Sequence, residues 1–480
     1  FLIYISSIIN ISEDETYTLN TTSRSFLGVI HQSYNFEAQP PFYFILLSWW
    51  RLLCHGIFFT KLFSILCIGF SAYFFYRLVP LFSEKKNSKW MVVIFLLNPF
   101  TVWAALEMRL YSLLILLSTY SIYYFFSYYF ENKKYSLFYF LIISLFGIYT
   151  QYFFVFLVMA FSFIILIFKE WKTFIKYFLY LLPVILLTLP NLIFIPSQIN
   201  LQKSAGHEGL SFSVIHYIVV YSPKNLMLAI DNASGVWLNR IIRLTIYSAA
   251  LIAYLKYYKE GFSNGKRKLA GYHLILICIV ALLFFFCMAF MITKVGFNPK
   301  YLAIGFPLFI LTFSIFNIFS RSLRNVIYGS ISLYFIILLI IQYKNPVKVY
   351  DFKSVANFIE SIERPHEPIF VYRPAIAMPF EYYYHGKNSI TPIPYPVNFD
   401  SDYLISMKDT VELKKSINPA NISSKSYLLI SDTTSYEGLV NMNRKMISNY
   451  LNDHYKKVLD TFLLGNGKEK SLRIRRFDKP

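Results

Sequence analysis

The sequence predicts an all-α polytopic membrane protein of about eleven transmembrane helices, followed by a soluble α/β domain at the C-terminus. Three observations carry this. Of 480 residues, 56% are hydrophobic and 20% aromatic, and the mean hydropathy is +0.47. Apolar runs of about 20 residues recur as solid blocks, which suits spanning helices and excludes the alternation of a membrane barrel. After Tyr343 those runs stop, and short β-like stretches alternate with helical ones.

In chain order, the run Phe1 to Ile11 is too short to span and begins without Met, so it reads as the end of a truncated first transmembrane helix. Residues 12–58 are mixed in polarity, and within them Pro41 opens an aromatic-rich interfacial helix from Phe42 to Leu53. Further spans are expected at 59–82, 90–105, 110–130, 135–150, 152–168, 174–195, 237–257, 272–292, 301–319 and 325–342. Alternate loops carry Lys85/Lys86/Lys89, Lys133/Lys134, Lys169/Lys172/Lys176, Lys256 to Lys268 and Arg321/Arg324, and the positive-inside rule turns these to the cytoplasm. Glu13, Asp14, Glu15, Glu37, Glu107, Glu208 and Asp231 then face outward, leaving Glu84, Glu131, Glu170 and Glu260 inside. An odd number of spans places the tail outside as well.

Two domains follow: a membrane part, 1–342, and an extracytoplasmic α/β domain, 343–480. Strands are expected at Pro368–Tyr372 and Tyr427–Ile430, helices at 351–363 and 438–455, and a surface loop at the Pro-rich Thr391 to Pro396.

The net charge of +20 does not signal a nucleic-acid partner, because 26 Lys/Arg against 11 Asp/Glu lie upstream of residue 344, mostly in short loops between apolar runs. Cys54, Cys67, Cys278 and Cys287 are scattered and form no disulfide framework, and the His residues show no zinc-ligand spacing. No cofactor is expected; a divalent metal is possible but has no ligand cluster to indicate it. No Gly-rich phosphate loop joins a strand to a helix.

Chemistry concentrates at Ser12-Glu13-Asp14-Glu15-Thr16-Tyr17-Thr18, where seven residues hold three carboxylates in a chain only 15% charged. The plain alternative is a helix start: Ser12 and Glu15 have capping-box spacing, and acids in a first turn complement the helix dipole. Three other outer features accompany the cluster: Gln39-Pro40-Pro41-Phe42-Tyr43, Glu107-Met-Arg109-Leu-Tyr111 between two apolar runs, and Asn298-Pro299-Lys300-Tyr301 before a late span. Each also has an ordinary reading as a polar turn or an interfacial anchor.

Taken together these motifs resemble the GT-C glycosyltransferases, and within them the protein O-mannosyltransferase family and its bacterial relatives, which include the lipid A aminoarabinose transferase. The similarity covers roughly residues 1–342. It implies a membrane enzyme that moves a sugar, with inversion, from a polyprenyl-phosphate-linked donor to a protein, lipid A or surface-glycan acceptor. That resemblance also implies a bacterial inner membrane, with the active site on the extracytoplasmic side. It maps the general base onto Asp14, with Glu15 supporting the site or contacting the acceptor. The substrate-binding positions map onto Tyr17, Gln39, Arg109, Tyr111, Lys300 and Tyr301, with phosphate contacts at Arg109, Lys300 and Tyr301. Two positions depart from the family pattern: Ala38-Gln39 stands before Pro-Pro where relatives often carry His or an acid followed by Lys, and Lys300 stands where Arg is more usual. Lys keeps the charge but loses the bidentate fork.

The chemistry is coherent from the residues alone. A sugar phosphate already has a good leaving group, so the enzyme mainly deprotonates an acceptor hydroxyl, aligns it, and stabilises departing phosphate charge. The outer segment 196–236, with Lys203, His207, Glu208, His216, Lys224 and Asp231 and possible hinges at Gly206 and Gly209, is either a lid or a solvated loop. The competing class is a polyprenyl-lipid flippase or transporter, which would need ionisable or broken-helix sites near the bilayer midplane.

Overall fold

The computed structural model describes residues 1–131, 133–204, 244–256, 266–294, 298–399, 411, 415, 425–432, 439–464 and 471–478. The chain divides into two compact units: Phe1–Ser6, Ser25–Tyr34 and Ala38–Lys344 form the first; Ser7–Arg24, Asn35–Glu37 and Asn345–Pro480 form the second.

The first unit is helical. Among the described residues, five helices are long and apolar enough to cross a membrane: Ile57–Leu81, Tyr111–Glu131, Trp171–Ile193, Gly271–Thr293 and Arg321–Tyr343. The expected span 90–105 is instead a bent pair, Lys85–Leu97 and Pro99–Leu106, meeting at 57°. Asn98-Pro99 explains the bend. Proline has no N–H and pushes the preceding residue out of helical geometry, and the Asn98 side chain accepts a hydrogen bond from the Phe100 N–H at 2.8 Å to restart the helix. Four other expected spans are apolar helices of 10–17 residues: Lys134–Thr150, Phe154–Phe168, Leu244–Lys256 and Phe306–Ile318. Among the described residues, length and composition support five spans, or six with the bent pair, and do not confirm the eleven expected.

Aromatic side chains fill this unit. Phe125 stacks on Phe161 at 4.1 Å, and Phe75 on Phe95 at 4.8 Å. Helices 134–150 and 154–168 approach closely at Gly147, where an added Cβ would lie 2.5 Å from the Phe154 ring. Before them, helix Phe42–Arg51 follows Pro41 and leaves Trp49, Leu52 and Leu53 exposed, a pattern that suits an interface.

The second unit is built on a five-stranded mixed sheet in the order β2-β1-β3-β5-β4, with β1 Ile369–Tyr372, β2 Ile390–Ile393, β3 Ser426–Asp432, β4 Lys456–Leu464 and β5 Ser471–Asp478. β1 runs parallel to β2 and β3, and β5 runs antiparallel to β3 and β4. Side chains alternate across it. Ile369, Val371, Leu428 and Ile430 face helices Phe352–Ile362 and Pro374–Tyr383, while Phe370, Tyr372, Tyr427 and Leu429 face helix Leu439–His454. Burial on both faces explains why β1 and β3 are unbroken apolar runs. The expected loop at 391–396 proves to be partly strand: β2 is an edge strand, where Pro392 sacrifices no central ladder bond.

Residues 12–58 were expected with the membrane helices, yet residues 7–24 and 35–37 group with the tail. Apolar contact is one reason: Tyr17, Phe36 and Ala375 form a buried cluster with Phe399 against them.

Within this unit Arg476 meets Glu367 through a two-pronged contact, Nε to Oε1 at 2.8 Å and Nη2 to Oε2 at 2.9 Å, with Glu367 only 1% exposed. Arg476→Ala strands that carboxylate and is expected to cost about 3–5 kcal/mol. Denaturant unfolding of the full-length protein in detergent, followed by tryptic susceptibility of the tail, checks this; an unchanged midpoint would contradict it.

Candidate active site

In the first unit, three sequence motifs converge in two places. Arg109 is half-buried in the break between helices Pro99–Leu106 and Tyr111–Glu131. Behind that break the Ser64 hydroxyl donates to the Glu107 carbonyl at 2.7 Å. One turn earlier on the same helix lies Lys61, at 0% exposure a buried cation that hydropathy had absorbed into a span.

Lys300 belongs to a short turn, Pro299–Ile304, whose first N–H groups are oriented by Asn298: its side chain accepts from the Lys300 N–H at 3.0 Å. The Lys300 ammonium lies 5.8 Å from the Tyr111 ring centroid and 5.9 Å from that of Trp103, and those two rings are 5.0 Å apart. Cation–π attraction holds the ammonium there. Tertiary packing thus joins Lys300 to Tyr111.

Next to Lys300, Tyr301 stacks on Phe290 and packs on Phe153. It lines an apolar cavity of about 270 Å³, as do Gln39, Gln151, Tyr152 and Gln198. Gln39 reaches this wall because Ala38, at φ 52°, turns the chain, and the Gln39 N–H then donates to the Ser33 carbonyl at 3.0 Å. No local signature in the sequence marks Gln151, Tyr152 and Gln198, which are isolated polar residues beside apolar runs.

The acid cluster lies in the second unit, at the start of helix Glu13–Thr21. Glu15 is fully buried: one carboxylate oxygen accepts from the Ser12 N–H at 2.8 Å, closing the capping arrangement, and the other pairs with Lys348, itself 7% exposed. Its carboxylate is therefore committed to the helix start and to Lys348. Glu13 pairs with Arg373 at 3.1 Å, and Arg373 also reaches Asp432 at 2.9 Å. Arg444 and the Tyr350 hydroxyl, each at 3.1 Å, complete the surroundings of Asp432. Asp14, between the two engaged glutamates, is half-buried. Tyr17, expected to bind substrate, packs edge-on against Phe36 at 5.1 Å.

Lys348, Arg373 and Asp432 were not singled out from sequence, since Lys348 lies 333 residues from Glu15 and Arg373 lies 360 from Glu13. Among the described residues, no group of three or more His, Cys, Asp or Glu is placed to hold a metal ion. The segment expected as a lid, 196–236, begins within helix Ile195–Ser204, and from residue 205 on, with His207, Glu208, His216, Lys224 and Asp231, it lies outside the described residues.

The helical unit and the mixed α/β unit together have the fold of a solved membrane-protein structure. ArnT from Cupriavidus metallidurans, solved in the apo state, shares it with a TM-score of 0.56 over 99% of this chain and 95% of that one, at 9% identity. A second ArnT structure from the same organism, bound to undecaprenyl phosphate, aligns over 99% of this chain and 96% of that one at 10% identity, with a TM-score of 0.49. No family model matches the sequence, and no curated protein does.

Burial pushes the Glu13 carboxyl above its usual range; Arg373 opposes this, while Asp432 and Asp14 reinforce it. A carboxyl raised in the folded state contributes most below its unfolded value, and that contribution is lost as pH rises through the folded value. Glu13→Gln is therefore expected to flatten the decline in thermal stability above the ordinary carboxylate range, read from melts between about pH 4 and 8. An identical slope in both proteins would refute it.

Proposed function

We propose that this chain is an integral membrane glycosyltransferase that moves a sugar, with inversion, from a polyprenyl-phosphate-linked donor to an extracytoplasmic acceptor. The observation that carries the reading is the apolar cavity of about 270 Å³ lined by Gln39 and Tyr301, with Lys300 next in the chain, within a GT-C fold. An apolar wall with a few polar groups suits a prenyl chain ending in a phosphate. In this reading Arg109, Lys300 and Tyr301 stabilise the departing phosphate, and Tyr111 with Trp103 holds the Lys300 ammonium in place.

Asp14 takes the acceptor hydroxyl's proton as the sugar's anomeric carbon passes from phosphate oxygen to acceptor oxygen. Glu15, committed to Ser12 and Lys348, serves the helix rather than the acceptor. The acceptor is a hydroxyl of a protein, lipid A or a surface glycan, and the membrane is a bacterial inner membrane with the site on its outer side.

Asp14→Asn keeps shape and removes the base, so transfer is expected to fall about 10²–10⁴-fold with donor binding retained. The assay is transfer from a panel of radiolabelled polyprenyl-phosphate sugars in membranes at matched expression. If folded protein moves no label from any donor yet translocates labelled lipid equally with and without Asp14, the chain is a flippase instead.

Lys300→Ala removes a charge-assisted contact and is expected to weaken undecaprenyl-phosphate binding by about 1.5–3 kcal/mol, roughly 10- to 150-fold. Lipid titration of purified protein measures this, and unchanged affinity would remove Lys300 from the phosphate site.

A further inference from the structure

Helix Glu13–Thr21 has nine residues, and an isolated helix under about 12 residues is marginal in water. Its order comes from elsewhere. Just before it, the Asn10 side chain accepts from the Lys348 N–H at 2.7 Å and donates to the Tyr350 carbonyl, and the Ile11 N–H donates to the Tyr383 hydroxyl at 2.9 Å. At its start Lys348 holds Glu15, and Arg373 joins Glu13 to Asp432. At its end the Thr21 hydroxyl donates to Glu37 at 3.0 Å.

The two ion pairs flank Asp14 in a particular way. Successive helical residues are rotated by about 100°, so Glu13 and Glu15 project some 200° apart around the axis. One ion pair would leave the helix able to roll about its axis; two on different sides remove that freedom. Both cations belong to the segment after residue 344, and both are 7% exposed, which makes the pairs stiff rather than solvent-exchanged.

We propose that Lys348 and Arg373 are positioning residues of the transferase site: the segment after residue 344 sets the direction of Asp14 by gripping the carboxylates on either side of it. The inference rests on the reading of Asp14 as general base. It gives the segment after residue 344 a part in the chemical step, separate from any part in acceptor choice. Neither cation touches substrate; each acts through its glutamate.

The test uses the full-length protein in detergent and in liposomes, with Lys348→Ala, Arg373→Ala, Lys348→Arg and the exchanged pair Glu15→Lys with Lys348→Glu. Hydrogen exchange of the amides of residues 13–21 is read first. Each alanine variant is expected to lose at least tenfold protection there while the long apolar helices keep theirs; Lys348→Arg is expected to stay near wild type, and the exchanged pair to recover part of the loss. In transfer assays kcat is expected to fall at least tenfold with KM for the lipid donor within twofold. Wild-type exchange in both alanine variants, or a donor KM that rises as much as kcat falls, overturns the proposal.

If an alanine variant does not fold, the contrast between Glu15→Lys alone and the exchanged pair carries the test, and absence of any recovery counts against the clamp. If wild-type protein transfers no sugar from any donor, the enzymatic reading fails by itself, and hydrogen exchange still decides whether Lys348 and Arg373 hold the helix.

Discussion

Taking a carboxylate out of water costs several kcal/mol unless a cation is buried with it. That constraint organises the second unit. Glu15 at 0% exposure requires Lys348, and Asp432 at 1% requires Arg373 and Arg444, one of which extends to Glu13. Once those pairs form, the segment that follows the first helix can no longer be an independent loop. Its apolar side, at Tyr17 and Phe36, then packs onto Ala375 and Phe399. Charge pairing and hydrophobic burial act together.

The first unit obeys the same constraint by other means. Some of its charges sit at a helix break, as Glu107 and Arg109 do, or lie over aromatic faces, as Lys300 does over Tyr111 and Trp103. At position 300 the compact Lys ammonium lies within 6 Å of two ring centroids and carries its charge without the planar, bidentate fork of an Arg. Sequence composition alone does not distinguish these arrangements, because a Lys beside a Tyr reads equally as an interfacial anchor.

Legibility followed the range of the interaction. The helices at 57–81, 111–131 and 321–343 were readable because hydrophobic length is a local property. So were β1 and β3, whose residues are apolar on both faces. The bend at Asn98-Pro99 was locally encoded but was masked by hydropathy, which scores Pro and Phe within one apolar run. β2 was missed because its Pro392 argues against a strand until the edge position is known. β5 was missed because Arg473, Arg475 and Arg476 look solvent-exposed, yet Arg475 and Arg476 are buried, with Arg476 paired to Glu367.

By itself the sequence determined the class of the protein, the positions of its long helices, the break that carries Arg109 and the capping of the acidic helix by Ser12 and Glu15. Each of these is written in a window of a few to about twenty residues, the range over which backbone geometry and transfer free energy act. The tertiary structure decided which cations meet the acid cluster, that Lys300 joins Tyr111, and that Gln39 and Tyr301 share a cavity wall. Those pairings span separations as long as 360 residues, and electrostatic complementarity leaves no periodicity in the chain by which a partner at that distance is identified.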